Sequence, residues 1–377
     1  MTKTDFISLF KNNYGGTVLA SKLVGDLLTT NKSKRPPVIW LGTNTCAGDI
    51  ISFLNSLDPG YRAVISDLID FRYNNFVMTA EGNLATGVLT DAMAGNPKDF
   101  ILIVEGTVPT RFEGLSCVIG LRDSKPLTAL EAVRELAAVA RYVVAVGTCA
   151  AFGGPYAARP NPTWGKSVQG VVSRKVINVP GCPVHPDWVS GTLAHLIWFG
   201  EPELDEYNRP TLFFGETIHN LCQRRHYFDS GIFSAHPGEP WCMYKEGCKG
   251  PVTFADCPQR QWNGEHLNWP VGASTPCIGC VSPEFPDYSE PFFEHLPDIH
   301  LPGVTVNANR VGAVVGTITA AGIGGHLLTS ILKGRLPKTI KKGFMPAKVG
   351  FQVLETTPAG KVKNILKKTV KKAIKRL

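Results

Sequence analysis

Four short apolar runs, each closed by a glycine or proline and separated by helical stretches, constrain this 377-residue chain more than any other feature. They occupy residues 37–42, 99–106, 142–147 and 176–180, and the third follows a strongly amphipathic stretch at 127–141. A strand that is apolar at every position has no face to offer water. Such strands alternating with helices therefore predict a parallel sheet covered on both sides.

That pattern predicts an α/β class with a doubly wound, flavodoxin-like parallel sheet. In such sheets ligands sit beyond the carboxyl ends of the strands, so the residues just after each run are the ones to read. After the first come Cys46 and Asp49, after the second Glu105, after the third Cys149, and after the fourth Cys182. Three cysteines and an aspartate thus share one sheet edge. From about residue 211 to 287 the periodicity fades, and aromatics, Gly, Pro and seven Cys or His candidates crowd together. A segment of this kind is predicted to be held by metal centres, whose binding energy becomes folding energy.

The cysteine count points the same way. Ten cysteines exceed what a cytoplasmic protein uses in disulfides, and ten inert buried thiols have no purpose. The N-terminal residues 1–35 show neither a signal-peptide pattern nor a twin-arginine pair, so a cytoplasmic location is expected. The ligands partition into Cys46, Asp49, Cys149 and Cys182; His219, Cys222, Cys242 and Cys248; and Cys257, Cys277 and Cys280. Cys117 lies in an apolar run and reads as a packed thiol. Thiolates suit iron–sulfur clusters. Zinc is an alternative for the histidine set, but it explains a neighbouring three-thiolate set poorly.

The motifs that carry these ligands resemble, in family order from about residue 37 to 290, the small subunit of nickel–iron hydrogenases. The residues concerned are VIWLG with Cys46, VEG at 104–106, GTCA at 147–150, PGCP at 180–183, HNLCQRR at 219–225, WCMYKEGCKGP at 241–251, Cys257-Pro258, and PCIGC at 276–280. The resemblance implies an electron-transfer subunit of an enzyme oxidising H2. It would hold a proximal 4Fe-4S cluster on Cys46, Asp49, Cys149 and Cys182, and a medial 3Fe-4S cluster on Cys257, Cys277 and Cys280. A distal 4Fe-4S cluster would use His219, Cys222, Cys242 and Cys248. Pro270 resembles the proline that replaces a fourth medial cysteine. The nickel–iron centre would lie on a large partner subunit, in a dimer of heterodimers or a larger assembly, with a quinone or redox protein as acceptor.

Two departures from the family pattern matter. Where it has Cys-x-x-Cys, this chain has Cys46-Ala47-Gly48-Asp49. Either Asp49 ligates iron, or it caps the helix starting near Ile50 and leaves a three-ligand site that can hold 3Fe-4S. Ala47 and Gly48 also exclude the cysteine-rich proximal site of oxygen-tolerant membrane-bound relatives. The pattern is similar to the non-exported uptake and actinobacterial-type groups. Glu105 could serve the subunit interface or a proton path, or simply hold loop amides. His185 and His226 lie near ligands and fit no ligand slot, so hydrogen-bonding or surface roles are expected.

The expected organisation is an N-terminal helical arm (1–36), a flavodoxin-like domain (37–205), an iron–sulfur domain (206–300) and a C-terminal extension (301–377). Residues 311–332 carry no formal charge but are rich in Gly, Ala and Thr, which favours a packed or interfacial helix over a span. Residues 361–377 pattern as a basic amphipathic helix, suited to an anionic membrane surface, an acidic groove or oligomerisation. The net charge of +8 is local to this end. Residues 333–377 hold 14 basic and one acidic residue, leaving 25 basic and 30 acidic groups elsewhere. A nucleic-acid role therefore loses its electrostatic support. A relay subunit of a quinone-linked respiratory complex is the alternative function, and the second ligand-rich segment argues against a single-cluster relay.

Overall fold

The computed structural model describes residues 35–57, 60–262, 266–290, 299–301, 304–306, 316–326 and 329. The expected N-terminal arm and the basic helix at 361–377 lie outside the described residues.

Five parallel strands form the central sheet: β1 (Pro37–Gly42), β2 (Asp70–Asn74), β3 (Ile101–Glu105), β4 (Tyr142–Val146) and β5 (Ile177–Val179). Their spatial order is β2-β1-β3-β4-β5, with every neighbouring pair parallel. This is the flavodoxin-like order, and its switch point lies between β1 and β3. Four of the strands are those the apolar runs predict. The fifth, β2, is an edge strand. Its Asp70 and Arg72 pair with each other at 2.6 Å, so it never reads as an apolar run.

Alternation along the strands feeds two cores. Val38, Trp40, Ile101, Ile103, Val144 and Val146 face one side, where α1 (Gly48–Leu54) and α4 (Pro186–Phe199) cover them. Ile39, Leu41, Leu102, Val104, Val143 and Ala145 face the other, under α2 (Gly82–Met93) and α3 (Ala129–Val139). The α3 helix starts where its sequence allows a cap, with the Thr128 hydroxyl accepting from the Glu131 N–H at 3.2 Å.

Between residues 206 and 290 the described helices are single turns, among them Thr211–Phe214, Ile218–Leu221, Arg225–Asp229 and Cys257–Arg260. This segment packs against the sheet domain through a shared core. Trp188 of α4 packs at an angle against Phe214 and edge-on against Trp262, and Ile218, Met243, Cys257, Cys277 and Val281 join the same buried cluster. The anticipated division at 205/206 is therefore no break in packing. The described residues up to 290 belong to one compact unit, and those from 299 onward belong to a second. In the latter, Ile299–Leu301 and Val304–Val306 pair antiparallel, and residues 316–326 are helical and exposed throughout. Among the described residues no helix is long and apolar enough to cross a membrane.

Candidate metal centres

The loop after β1 is shaped by Glu105 at the end of β3. This carboxylate is wholly buried and accepts from the Trp40 indole at 2.9 Å and the Thr45 hydroxyl at 3.1 Å. It also accepts from the Asp49 and Ile50 backbone N–H groups, both at 3.2 Å. Those amides belong to the first turn of α1, whose N-terminus has no side-chain cap of its own. Glu105 satisfies these orphan donors from across the sheet. Burial raises its pKa, and the four donors oppose that rise. In the isolated chain the side chain is wholly buried, and the contacts it makes are those of the loop-holding role.

With capping done by Glu105, Asp49 points elsewhere. Its Oδ1 accepts from the Val184 N–H at 2.7 Å, and Oδ2 lies against Gly147, where a Cβ would sit 1.9 Å away. Gly147, at φ +83°, is required for this approach. Burial, and then the neighbouring Glu105 charge, push Asp49 up to about 8. Asp49 and Cys46 lie near enough to Cys149 and Cys182 to raise both thiols. Cys149 and Cys182 are each pushed up to about 12, by burial first and then by neighbouring acids and thiols. Such groups stay protonated at neutral pH unless a cation is seated among them. The donor set therefore fits a positively charged metal group. Cys46 and Cys182 are exposed in the isolated chain.

The other two sets also converge. His219, Cys222, Cys242 and Cys248 line one small cavity together with Arg224, Arg225 and Val271. Cys257, Cys277 and Cys280 line a larger, mostly apolar one of about 460 Å³, with Pro270 in its wall. Burial raises the thiols of both sets. All ten cysteines are free thiols. Cys182 of the sheet-edge set also reaches this cavity; the remaining three thiols and Pro270 in its apolar wall fit a cluster with three protein ligands.

The sets touch end to end. The Cys182 backbone N–H faces the Cys280 sulfur, and the Thr148 hydroxyl accepts from the Gly181 N–H at 2.9 Å while donating to the Cys280 carbonyl. On the other side, the Lys249 N–H donates to the Cys277 carbonyl at 2.7 Å, and Cys277 and Cys248 perturb each other. In space the order is thus sheet-edge set, three-thiolate set, histidine set. In the chain the last two are reversed.

Sequence reading missed Thr148, Gly147 and a buried frame behind the larger cavity. His185 is fully buried: Nε2–H donates to the Gln261 carbonyl at 2.7 Å, and Nδ1 accepts from the Asp187 N–H at 3.1 Å. Arg260 pairs with Asp187 at 2.9 Å and Asp256 at 2.7 Å, and Asp256 accepts from the Trp188 indole at 2.8 Å. His185, Asp187 and His266 come together, but Arg260 and the backbone already occupy their bonding positions. The surviving signal was His185 beside a ligand in PGCPVH. His226 is exposed and stacks on Tyr227. Cys117 is half-buried.

Residues 214–293 match the family formed by the C-terminal part of NiFe/NiFeSe hydrogenase small subunits. Residues 46–196 match the family of the 20 kDa subunit of NADH ubiquinone oxidoreductase. The chain is 40% identical over 281 residues to the periplasmic [NiFeSe] hydrogenase small subunit of Desulfomicrobium baculatum, covering 70% of this chain and 89% of that one. This chain belongs to the nickel–iron hydrogenase small-subunit family. The uptake hydrogenase small subunit of Azotobacter vinelandii is 36% identical over 306 residues, 79% of this chain and 84% of that one. Among solved structures, the reduced, active Ni-Fe-Se hydrogenase of Desulfomicrobium baculatum superposes with a TM-score of 0.66 at 39% identity, covering 69% of this chain and 99% of that chain. The actinobacterial-type NiFe-hydrogenase of Ralstonia eutropha H16 gives 0.66 at 28% identity, covering 86% and 95%. A match to the NADH ubiquinone oxidoreductase family spans the sheet domain alone, so the quinone-complex alternative leaves residues 214–293 without a purpose.

Proposed function

We propose that this chain carries electrons away from H2 oxidised at the nickel–iron site of a large partner subunit, through three iron–sulfur clusters to an acceptor. The carrying observation is the continuous spatial series of three ligand sets joined at Cys182–Cys280 and Cys277–Cys248. Structural staples have no need to lie close to one another; relay stations must lie within tunnelling reach. The proximal set is Cys46, Asp49, Cys149 and Cys182, the medial set Cys257, Cys277 and Cys280, and the distal set His219, Cys222, Cys242 and Cys248. When bound, such clusters accept and release one electron at a time. The protein contributes buried thiolates, backbone N–H groups aimed at sulfur, and apolar walls that exclude water. A 4Fe-4S cluster suits the first and last sets, and 3Fe-4S suits the medial one.

Exposure of Cys46 and Cys182 supports a partner surface over the proximal end. Co-purification of the native pair, followed by H2-dependent dye reduction, tests the reading. A colourless chain without iron and sulfide, or a pair that fails to reduce dye with H2, would sink it. Assembly as a dimer of heterodimers, a quinone or redox-protein acceptor, and a cytoplasmic location with peripheral membrane contact through 361–377 complete the proposal. Several relatives carry the word periplasmic in their names, which makes fractionation the decisive check on location. Truncation after Gly360 should move the complex from the membrane to the soluble fraction.

A further inference from the structure

Cys257, Cys277 and Cys280 share the 460 Å³ cavity with Cys182 and with the side chain of Trp262. Cys277 faces the Gly279 N–H, and Cys280 faces the Cys182 N–H. Cys277 also has the Thr253 hydroxyl beside it, and the donor beside Cys257 is the indole of Trp262. The Trp262 Nε1 atom is buried and has no completed hydrogen bond, an arrangement that costs energy unless an acceptor arrives. Trp262 lines the same cavity as the three cysteines.

The ring is held in place from behind. It packs edge-on against His185 at 5.0 Å and Trp188 at 5.6 Å. His185 is fixed by Gln261 and Asp187, and Trp188 by Asp256. The Asp187–Arg260–Asp256 pairs tie α4 to the turn that carries Cys257. A buried polar frame of this kind is costly unless fully satisfied, and its product is a fixed direction for one indole N–H.

We infer that Trp262 is a positioning residue whose indole N–H donates to the iron-bound sulfur of Cys257 and thereby favours the reduced state of the medial site. This rests on the three-cluster reading above and deepens it. A donor on sulfur stabilises the more negative, reduced form more than the oxidised form, so it raises the reduction potential. The middle of the wire then holds an electron more readily than its ligands alone would allow.

The test is an EPR-monitored redox titration of the purified complex carrying Trp262→Phe, alongside one in which position 262 holds benzothienylalanine. The latter keeps the bicyclic shape and removes only the N–H. At the wild-type midpoint, the ratio of reduced to oxidised medial site should fall about fivefold in both, the effect of one ordinary hydrogen bond. A titration curve that superimposes on wild type for the benzothienyl variant overturns the inference. Should both variants lose the cluster, pulsed ENDOR on the wild-type complex with ¹⁵N-labelled tryptophan reads the same bond. One coupled indole nitrogen supports it, and none overturns it. A wild-type complex with no signal that depends on Cys257 would instead overturn the three-cluster reading, and this inference with it.

Discussion

At Asp49 a carboxylate sits in the sheet edge with one oxygen on the Val184 N–H and the other against Gly147. A harder ligand than thiolate at this position should change both the electronic structure and the potential of the group it binds. The Asp49→Ala complex is therefore expected to show altered Mössbauer and EPR spectra of the proximal site, and spectra identical to wild type would remove Asp49 from the ligand set. His185 carries a prediction of a different sort. Burial holds its pKa down to about 4, against about 6.5 in an unfolded chain. The unfolded state therefore binds this proton first. Stability from the neutral ring is complete above pH 6.5 and is lost as pH falls toward 4, to the extent of about 3 kcal/mol. Protonation also removes the acceptor that Nδ1 offers the Asp187 N–H. Thermal unfolding from pH 7 to 4 should fall more steeply for wild type than for His185→Gln, and parallel profiles would contradict this.

Among the elements, the short helix Thr148–Phe152 has the most exacting entrance. Gly147 combines φ +83° and ψ 154°, a region essentially restricted to glycine, with backbone contact to Asp49. Gly147→Ala is expected to cost about 1–3 kcal/mol in backbone strain and to expel the Asp49 carboxylate. Its readout is a loss of iron from the proximal site, with the other two sites intact by EPR. Retention of all three signals would show that the loop relaxes around the added methyl. The β3–α1 junction makes a related point: a glutamate on one strand caps a helix that begins after another. Local pattern could not show this, because the capping partner lies 55 residues from Ile50.

On the scale of the molecule, the sheet domain has cores on both faces of its sheet, whereas in the segment between residues 206 and 290 the described helices are single turns and the buried side chains include Cys242, Cys257 and Cys277. Its order should depend on metal. Removing iron with acid and chelator is expected to raise amide exchange sharply across 211–290 while β1, β3 and β4 remain protected. Uniform exposure of both halves would show that the shared core around Trp188 makes them a single cooperative unit.

The sequence by itself determined the parallel sheet and the edge at which Cys46, Asp49, Cys149 and Cys182 emerge. Apolar strands must be buried on both faces, and the residues after them necessarily emerge at one end. It left the Asp49 question open and hid β2, whose polar edge residues give no apolar signal. Only the tertiary structure decided the spatial order of the sets, the loop amides that Glu105 accepts from, and the buried frame packed behind Trp262. These depend on contacts between residues far apart in the chain, such as Thr148 with Cys280 and His185 with Gln261. No local period encodes them, since they exist only once the sheet has brought its loops together and the irregular segment has packed against α4.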